Sequence, residues 1–203
     1  MYHNRMDEDV ELDDYSDVTL IAIMLIGTSS QYKIDHALRI HKLAFLADKI
    51  IADSDLDDDF DFDANHFGPF SENLDDSLTE LRNWGLIKPV SSSSKGSKLT
   101  LEGEKILEAA SKKYKGIFSI CSELNSNLRN LSTDEIIKLV YRLYPSLTSK
   151  SLIKDKLVKT ERVDSFSIPI ESNSEIHIVS ENGVEYTVVY KNGKATITEA
   201  RHV

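Results

Sequence analysis

The stretch Asn83-Trp84-Gly85-Leu86-Ile87-Lys88-Pro89-Val90, then Ser91-Ser92-Ser93-Ser94-Lys95-Gly96-Ser97, then Lys98-Leu99-Thr100-Leu101-Glu102-Gly103, decides how the chain is read. Gly85 ends a helix, because only glycine takes the left-handed terminal conformation at no steric cost. Leu86 to Val90 reads as a short strand, the serine-rich run as a polar hairpin tip, and Lys98 to Leu101 as the return strand. Thr100 is placed to cap a further helix running through Leu107.

Upstream of this hairpin the spacing predicts three helices. The first spans Ser16 to Ile26, with Ser16 as N-cap and Gly27 as stop. The second covers about nineteen residues, with Ile34, Ala37, Leu38, Ile40, Leu43, Ala44, Leu46, Ala47, Ile50 and Ile51 at helical spacing and Lys42, Asp48 and Lys49 between them. The third opens after His66-Phe67-Gly68-Pro69-Phe70, with Ser71 as its cap and Leu74, Leu78, Leu81 and Trp84 as its buried stripe. Between the second and third, seven of the eleven residues from Asp53 to Asp63 are aspartate, a charge density that predicts a loop. The loop lacks the mid-loop glycine and terminal glutamate of a calcium-binding loop.

Three helices, a two-stranded hairpin and a fourth helix follow in the order that a winged helix requires, and the Trp84 to Gly103 stretch looks like the wing of many prokaryotic winged-helix regulators. A closer resemblance, from about Ile34 to Leu157, is to the YwgA-like proteins and the related Panacea (SocA-like antitoxin) domains. It rests on His41-Lys42-Leu43-Ala44-Phe45-Leu46-Ala47-Asp48, on Phe67-Gly68-Pro69-Phe70-Ser71, on the wing, and on Leu139-Val140-Tyr141-Arg142-Leu143-Tyr144-Pro145 with Ser149 and Ser151. The resemblance implies a helical winged-helix-like module, some members of which act as antitoxins or adaptors through protein contacts. The acidic start, the aspartate loop and a β-rich end depart from that pattern.

The charge is unevenly placed. Met1 to Val90 carries 7 basic against 20 acidic residues, Ser91 to Asp164 carries 14 against 9, and Ser165 to Val203 carries 3 against 5. The third helix, the usual reader of a DNA groove, is acidic, with Glu72, Asp75, Asp76 and Glu80 against Arg82, so a duplex should be repelled there. Those four carboxylates and Asp57, Asp58 and Asp59 of the loop are the candidate protein contacts, suited to a basic partner. Any nucleic-acid contact is expected instead from Lys88, Lys95, Lys98, Lys105, Lys112, Lys113 and Lys115, on the wing and the helix after it.

After the wing, Leu107, Ala110, Tyr114, Ile117, Cys121, Leu124, Leu128 and Leu131 recur at three and four residues, the spacing of a heptad seam, and Leu107, Tyr114, Ile117, Cys121, Leu124 and Leu128 form a candidate homodimer interface. Packing on the first helix competes with that reading. Ser132-Thr133-Asp134-Glu135 is a capping box for a helix that Pro145 ends, and a short helix follows over about Ser151 to Val158. From Ser165 onward the period changes to two, with strands near Ser174 to Ser180, Glu185 to Tyr190 and Ala195 to Ala200, joined at Asn182-Gly183 and Asn192-Gly193.

The expected organisation is an acidic disordered tail (1–15), a winged-helix unit (16–131), a helical extension (132–164) and a three-stranded antiparallel β-meander (165–203), an α+β chain that is mainly helical. The apolar run at Val18 to Ile26 is too short for a membrane span of about 20 residues. The acidic start is unlike a secretion signal, and the one cysteine fits a reducing compartment, so a cytoplasmic place is expected. With no HExxH motif and no glycine-rich phosphate loop, the sequence points to no enzyme, no metal and no cofactor. Two function classes remain: a regulator or adaptor working through protein contacts, and a DNA-binding regulator docking through its basic wing.

Overall fold

The structure, a computed structural model, describes residues 11–51, 59–91 and 95–153, together with the strands of the C-terminal sheet. Its elements are α1 (Asp17–Gly27), β1 (Lys33–Ile34), α2 (Ala37–Ile51), β2 (Asp63–Asn65), β3 (Gly68–Phe70), α3 (Glu72–Asn83), β4 (Ile87–Pro89), β5 (Ser97–Leu99), α4 (Leu101–Lys113), α5 (Lys115–Leu128) and α6 (Thr133–Leu143). The C-terminal strands are β6 (Phe166–Ser167), β7 (Ser174–Val179), β8 (Val184–Lys191) and β9 (Lys194–His202). The chain is therefore α+β, mainly helical through Leu143.

Helix α1 is central because its sequence has no polar face. Every residue from Val18 to Gly27 is buried, and α2, α3, α4 and α5 all pack on it. A helix apolar on all sides is stable only when surrounded. Its one buried hydroxyl, Thr19, is satisfied by Ser16 Oγ at 2.8 Å, while Ser16 Oγ also accepts from the Thr19 backbone as the N-cap. At the other end Thr28 N and Oγ1 donate to Met24 O, Asn125 Nδ2 of α5 donates to Leu25 O at 2.8 Å, and Ser29 Oγ donates to Ile26 O. The last carbonyls of a buried helix need such partners.

Gly27, expected as the stop, is instead the last helical residue, and a Cβ there would lie 2.4 Å from Leu107 Cδ2. The glycine serves close packing of α1 on α4. Ile34 is in β1 rather than in the second helix, whose start His36 marks by accepting from Leu38 N through Nδ1 at 3.2 Å. Residues 11–15, expected in an unstructured tail, are packed. Leu12 is buried, Asp13 pairs with Lys113 at 2.8 Å, and Tyr15 sets its ring edge against Trp84. Trp84 itself is 49% exposed and does not continue the α3 stripe of Leu74, Leu78 and Leu81. Residues 1–10 lie outside the described part.

Strands β1, β5 and β4 form an antiparallel sheet in that order. Gly85 takes φ +71 as the α3 terminus, and Thr100 ties the hairpin to α4, donating from Oγ1 to Gly85 O while accepting from Gly103 N. A separate hairpin that the sequence did not announce, β2 with β3, turns at His66-Phe67 and brings Gly68 and Pro69 of β3 under α6.

The helix expected after the β4-β5 hairpin is broken. Tyr114, at φ -112 and ψ 55, separates α4 from α5, so the heptad spacing is not carried on one continuous helix. A single 3-10 turn, Pro145–Thr148, follows α6. Ser151–Ile153 are not helical, and the rest of the expected short helix lies outside the described residues. The meander forms as β7-β8-β9, but it is a four-stranded sheet, because β6 joins the free edge of β9. The Asn-Gly turns also fall outside the described residues, though the Lys191↔Lys194 pairing leaves two residues for the second.

Gly103 tests the clamp between hairpin and α4. A Cβ there would fall 2.1 Å from Leu86 O, a backbone atom. Gly103→Ala should therefore lower the unfolding free energy by about 1–3 kcal/mol despite alanine's better helix propensity, as urea denaturation would show.

Candidate functional site

The site begins with a buried cation. Lys42 lies on the apolar stripe of α2, four residues from Leu38 and four from Leu46, and is 1% exposed, contrary to the expectation that it falls between the buried positions. Its Nζ donates to Pro69 O at 2.6 Å. Burial lowers the Lys42 ammonium to about 7. Beside it His41 is stacked on Phe70, ring centroids 4.5 Å apart, with Nε2 3.8 Å from Asp75 Oδ1 and Nδ1 buried without a partner. Burial, and then the neighbouring Lys42 charge, pull His41 down to about 4 against the opposing pull of Asp75.

The turn they hold can only be built on glycine. Gly68 has φ +81, and a Cβ there would meet Tyr141 Cε1 at 2.5 Å. Tyr141 Oη and Ser151 Oγ lie 2.6 Å apart, and Leu152 N donates to His66 O at 3.0 Å. His41, Lys42, Gly68, Pro69, Tyr141 and Ser151 thus meet at one junction of α2, β3 and α6. Its effect is mechanical: it fixes the Phe70-Ser71 entry of α3, where Ser71 Oγ accepts from Leu74 N at 2.9 Å.

Held this way, α3 turns its carboxylates outward. Glu72, Asp75, Asp76 and Glu80 are all exposed. The aspartate loop joins them, because Asn73 Nδ2 donates to Asp59 O at 2.7 Å. From there the chain alternates. Asp59, Asp61 and Asp63 are exposed while Phe60 is fully buried and Phe62 half-buried, stacked on each other against Phe45 of α2. The phenylalanines pin an acidic ridge beside an acidic helix. Asp57 and Asp58 lie outside the described residues.

The lysines expected to meet nucleic acid divide into two groups. On α4, Lys105 pairs with Glu102 at 2.9 Å, Lys112 with Glu108 at 2.7 Å and Lys113 with Asp13 at 2.8 Å. Hydrogen bonding and charge from its lysine hold Asp13 below the ordinary carboxylate value, and likewise Glu108. Lys88, Lys95 and Lys115 are exposed and Lys98 is half-buried, apart from those α4 pairs. Arg82 and Asn73 of α3 donate to Ser97 Oγ and Asp59 O.

Of the two readings of the heptad spacing, the structure shows packing within the chain. Cys121, Leu124 and Leu128 are at most 2% exposed and Ile117 is 7% exposed, within the single chain, where α5 packs on α1 and α2. Leu107 covers Gly27, and Tyr114 sits at the helix break. The seam's spacing is real, but the central helix occupies it. Burial pushes the Cys121 thiol up to about 12, which leaves it unreactive. Arg39 seals the same region by donating to Leu128 O and Leu131 O, below a cleft of about 440 Å³ that Lys33, Asp35, His36 and Arg129 also line. Among the described residues no three His, Cys, Asp or Glu side chains cluster as a metal site, and no helix is long and apolar enough to cross a membrane.

Two measurements follow from this geometry. Leu128→Ala should cost about 2–5 kcal/mol of stability and leave the sedimentation coefficient unchanged; a shift in oligomeric state at unchanged stability would restore the intersubunit seam. For the junction, the folded state binds fewer protons than the unfolded one between about 4 and the ordinary 6.5 for His41, and between about 7 and the ordinary 10.5 for Lys42. Stability should therefore rise with pH through both windows. His41→Phe should flatten the acid window and Lys42→Met the alkaline one, read as unfolding free energies across pH. Set against known protein families, curated proteins and solved structures, the chain matches none of them.

Proposed function

We propose that this chain is a non-enzymatic winged-helix regulator or adaptor that works mainly through protein contacts, its acidic α3 face receiving a basic partner. The winged-helix part of the reading is supported by the element order α1-β1-α2-α3-β4-β5 and by β1 pairing with β5 on the side away from β4. The resemblance to YwgA-like and Panacea domains draws support from the convergence of its quoted pieces, since His41, Lys42, Gly68, Pro69, Tyr141 and Ser151 meet at one junction. An antitoxin-like role is the form of adaptor that this resemblance suggests.

The observation that carries the proposal is the fixed acidic face. Glu72, Asp76, Glu80, Asp59 and Asp61 are exposed on neighbouring segments that the Asn73–Asp59 hydrogen bond ties together. Like charges held close together raise the local potential and favour a partner of opposite sign. The same face repels a duplex at the place where a recognition helix would enter the groove.

The variant Asp59→Asn, Glu72→Gln, Asp76→Asn, Glu80→Gln tests this without touching Asp75, which faces His41. With nuclease-treated native extract as the source, the parent chain should retain a basic protein that this variant binds tenfold or more weakly. Equal retention by both chains, or loss of the captured protein on nuclease treatment alone, would remove the acidic face from the mechanism.

A further inference from the structure

Strand register places three lysines in one row. Lys33 of β1 stands opposite Lys98 of β5, and Lys98 stands opposite Lys88 of β4. Directly opposed residues share a face of the sheet, so the whole exposed width of the three-stranded sheet carries positive charge. The alternate positions face inward: Ile34, Ser97, Ile87 and Leu99 are buried. Arg82 of α3 reaches Ser97 Oγ at 3.3 Å, which places α3 on that inner side. The lysine row and the acidic helix therefore occupy opposite sides of the sheet, and the carboxylates of α3 do not neutralise the row.

Like charges directly across strands destabilise a sheet. On α4, by contrast, Lys105, Lys112 and Lys113 each have a carboxylate within 3.0 Å. Among the described residues Lys33 is the one lysine of the row paired with a carboxylate, Asp35 at 3.6 Å, an exposed pair in which the carboxylate is 71% exposed. Such a pair is weak and readily exchanged for another anion.

We propose that this row is a contact for the phosphate backbone of duplex DNA, laid across β1, β5 and β4 rather than on α3 or α4. Strands about 4.8 Å apart give a row about 10 Å across. Three cations in line complement the repeated negative charge of a phosphate backbone more fully than that of a single compact anion. The contact carries no base readout, because no side chain of the row enters a groove. The proposal goes beyond the protein-contact reading and does not depend on it, since the two surfaces lie on opposite sides of β4 and β5.

The test uses the full chain and a fluorescent random-sequence duplex, read by anisotropy from low to physiological salt. Three phosphate contacts give a log affinity against log salt slope of about -2.7. The variant Lys33→Ala, Lys88→Ala, Lys98→Ala should lose binding tenfold or more at low salt with a melting temperature equal to or above the parent's, because opposed like charges are removed. The control Lys105→Ala, Lys112→Ala, Lys115→Ala should bind as the parent does. Absence of duplex binding by the parent, equal binding by the row variant, or displacement of the duplex by polyglutamate at matched charge would each overturn the proposal, the last by making the row a surface for acidic protein.

Discussion

From Val18 to Gly27 no residue of α1 reaches solvent, so every other described helix through α5 is placed by the need to cover it. The hydrophobic effect sets that requirement without specifying direction. Direction comes from polar groups that must be satisfied as the helix goes under: Thr19 by Ser16, Leu25 O by Asn125, Met24 O by Thr28. Gly27 then permits α4 to approach closely, and α5 fills the remaining side with Cys121, Leu124 and Leu128. Once α5 is spent in this way, its apolar face is unavailable to a second copy.

The second constraint is the Lys42–Pro69 hydrogen bond, which ties α2 to the turn before α3. A buried ammonium is costly unless it is bonded or neutral, and here it is held by a single carbonyl with its proton affinity reduced. The junction exists at the expense of some stability around neutral pH. What that expense secures is the entry angle of α3, and hence which way its carboxylates point. Phe60 and Phe62 do the same for the aspartate ridge, since an alternating chain with buried aromatics has no choice about where its acids go.

Charge segregation is the consequence with most bearing on function. Exposed acids cluster on α3 and the adjoining ridge, the lysines of α4 are paired with Glu102, Glu108 and Asp13, and the sheet keeps an opposed row of lysines on its outer side. A net charge of -10 describes none of these surfaces. Surfaces of opposite sign are thereby kept apart in the fold.

Much of this was determined by sequence alone. The caps at Ser16, Ser71, Thr100 and Ser132, the β4-β5 hairpin, the leucines of the α3 stripe and the three long strands of the C-terminal sheet follow from local rules of spacing and capping, whereas Trp84 left the stripe and β6 was added to the sheet. Only the tertiary structure decided the rest, because it depends on contacts between residues far apart in the chain. Lys42 sits on an apolar stripe that spacing reveals, yet its partner Pro69 is 27 residues away. The heptad spacing of Leu107 to Leu128 records an apolar face without saying whether α1 or another chain covers it. On α4 the pairs Lys105–Glu102 and Lys112–Glu108 are three and four residues apart and legible in sequence, whereas the partner of Lys113, Asp13, arrives from 100 residues away. Local periodicity fixes which side of an element is apolar or charged; the identity of what lies against that side from another element is a long-range property.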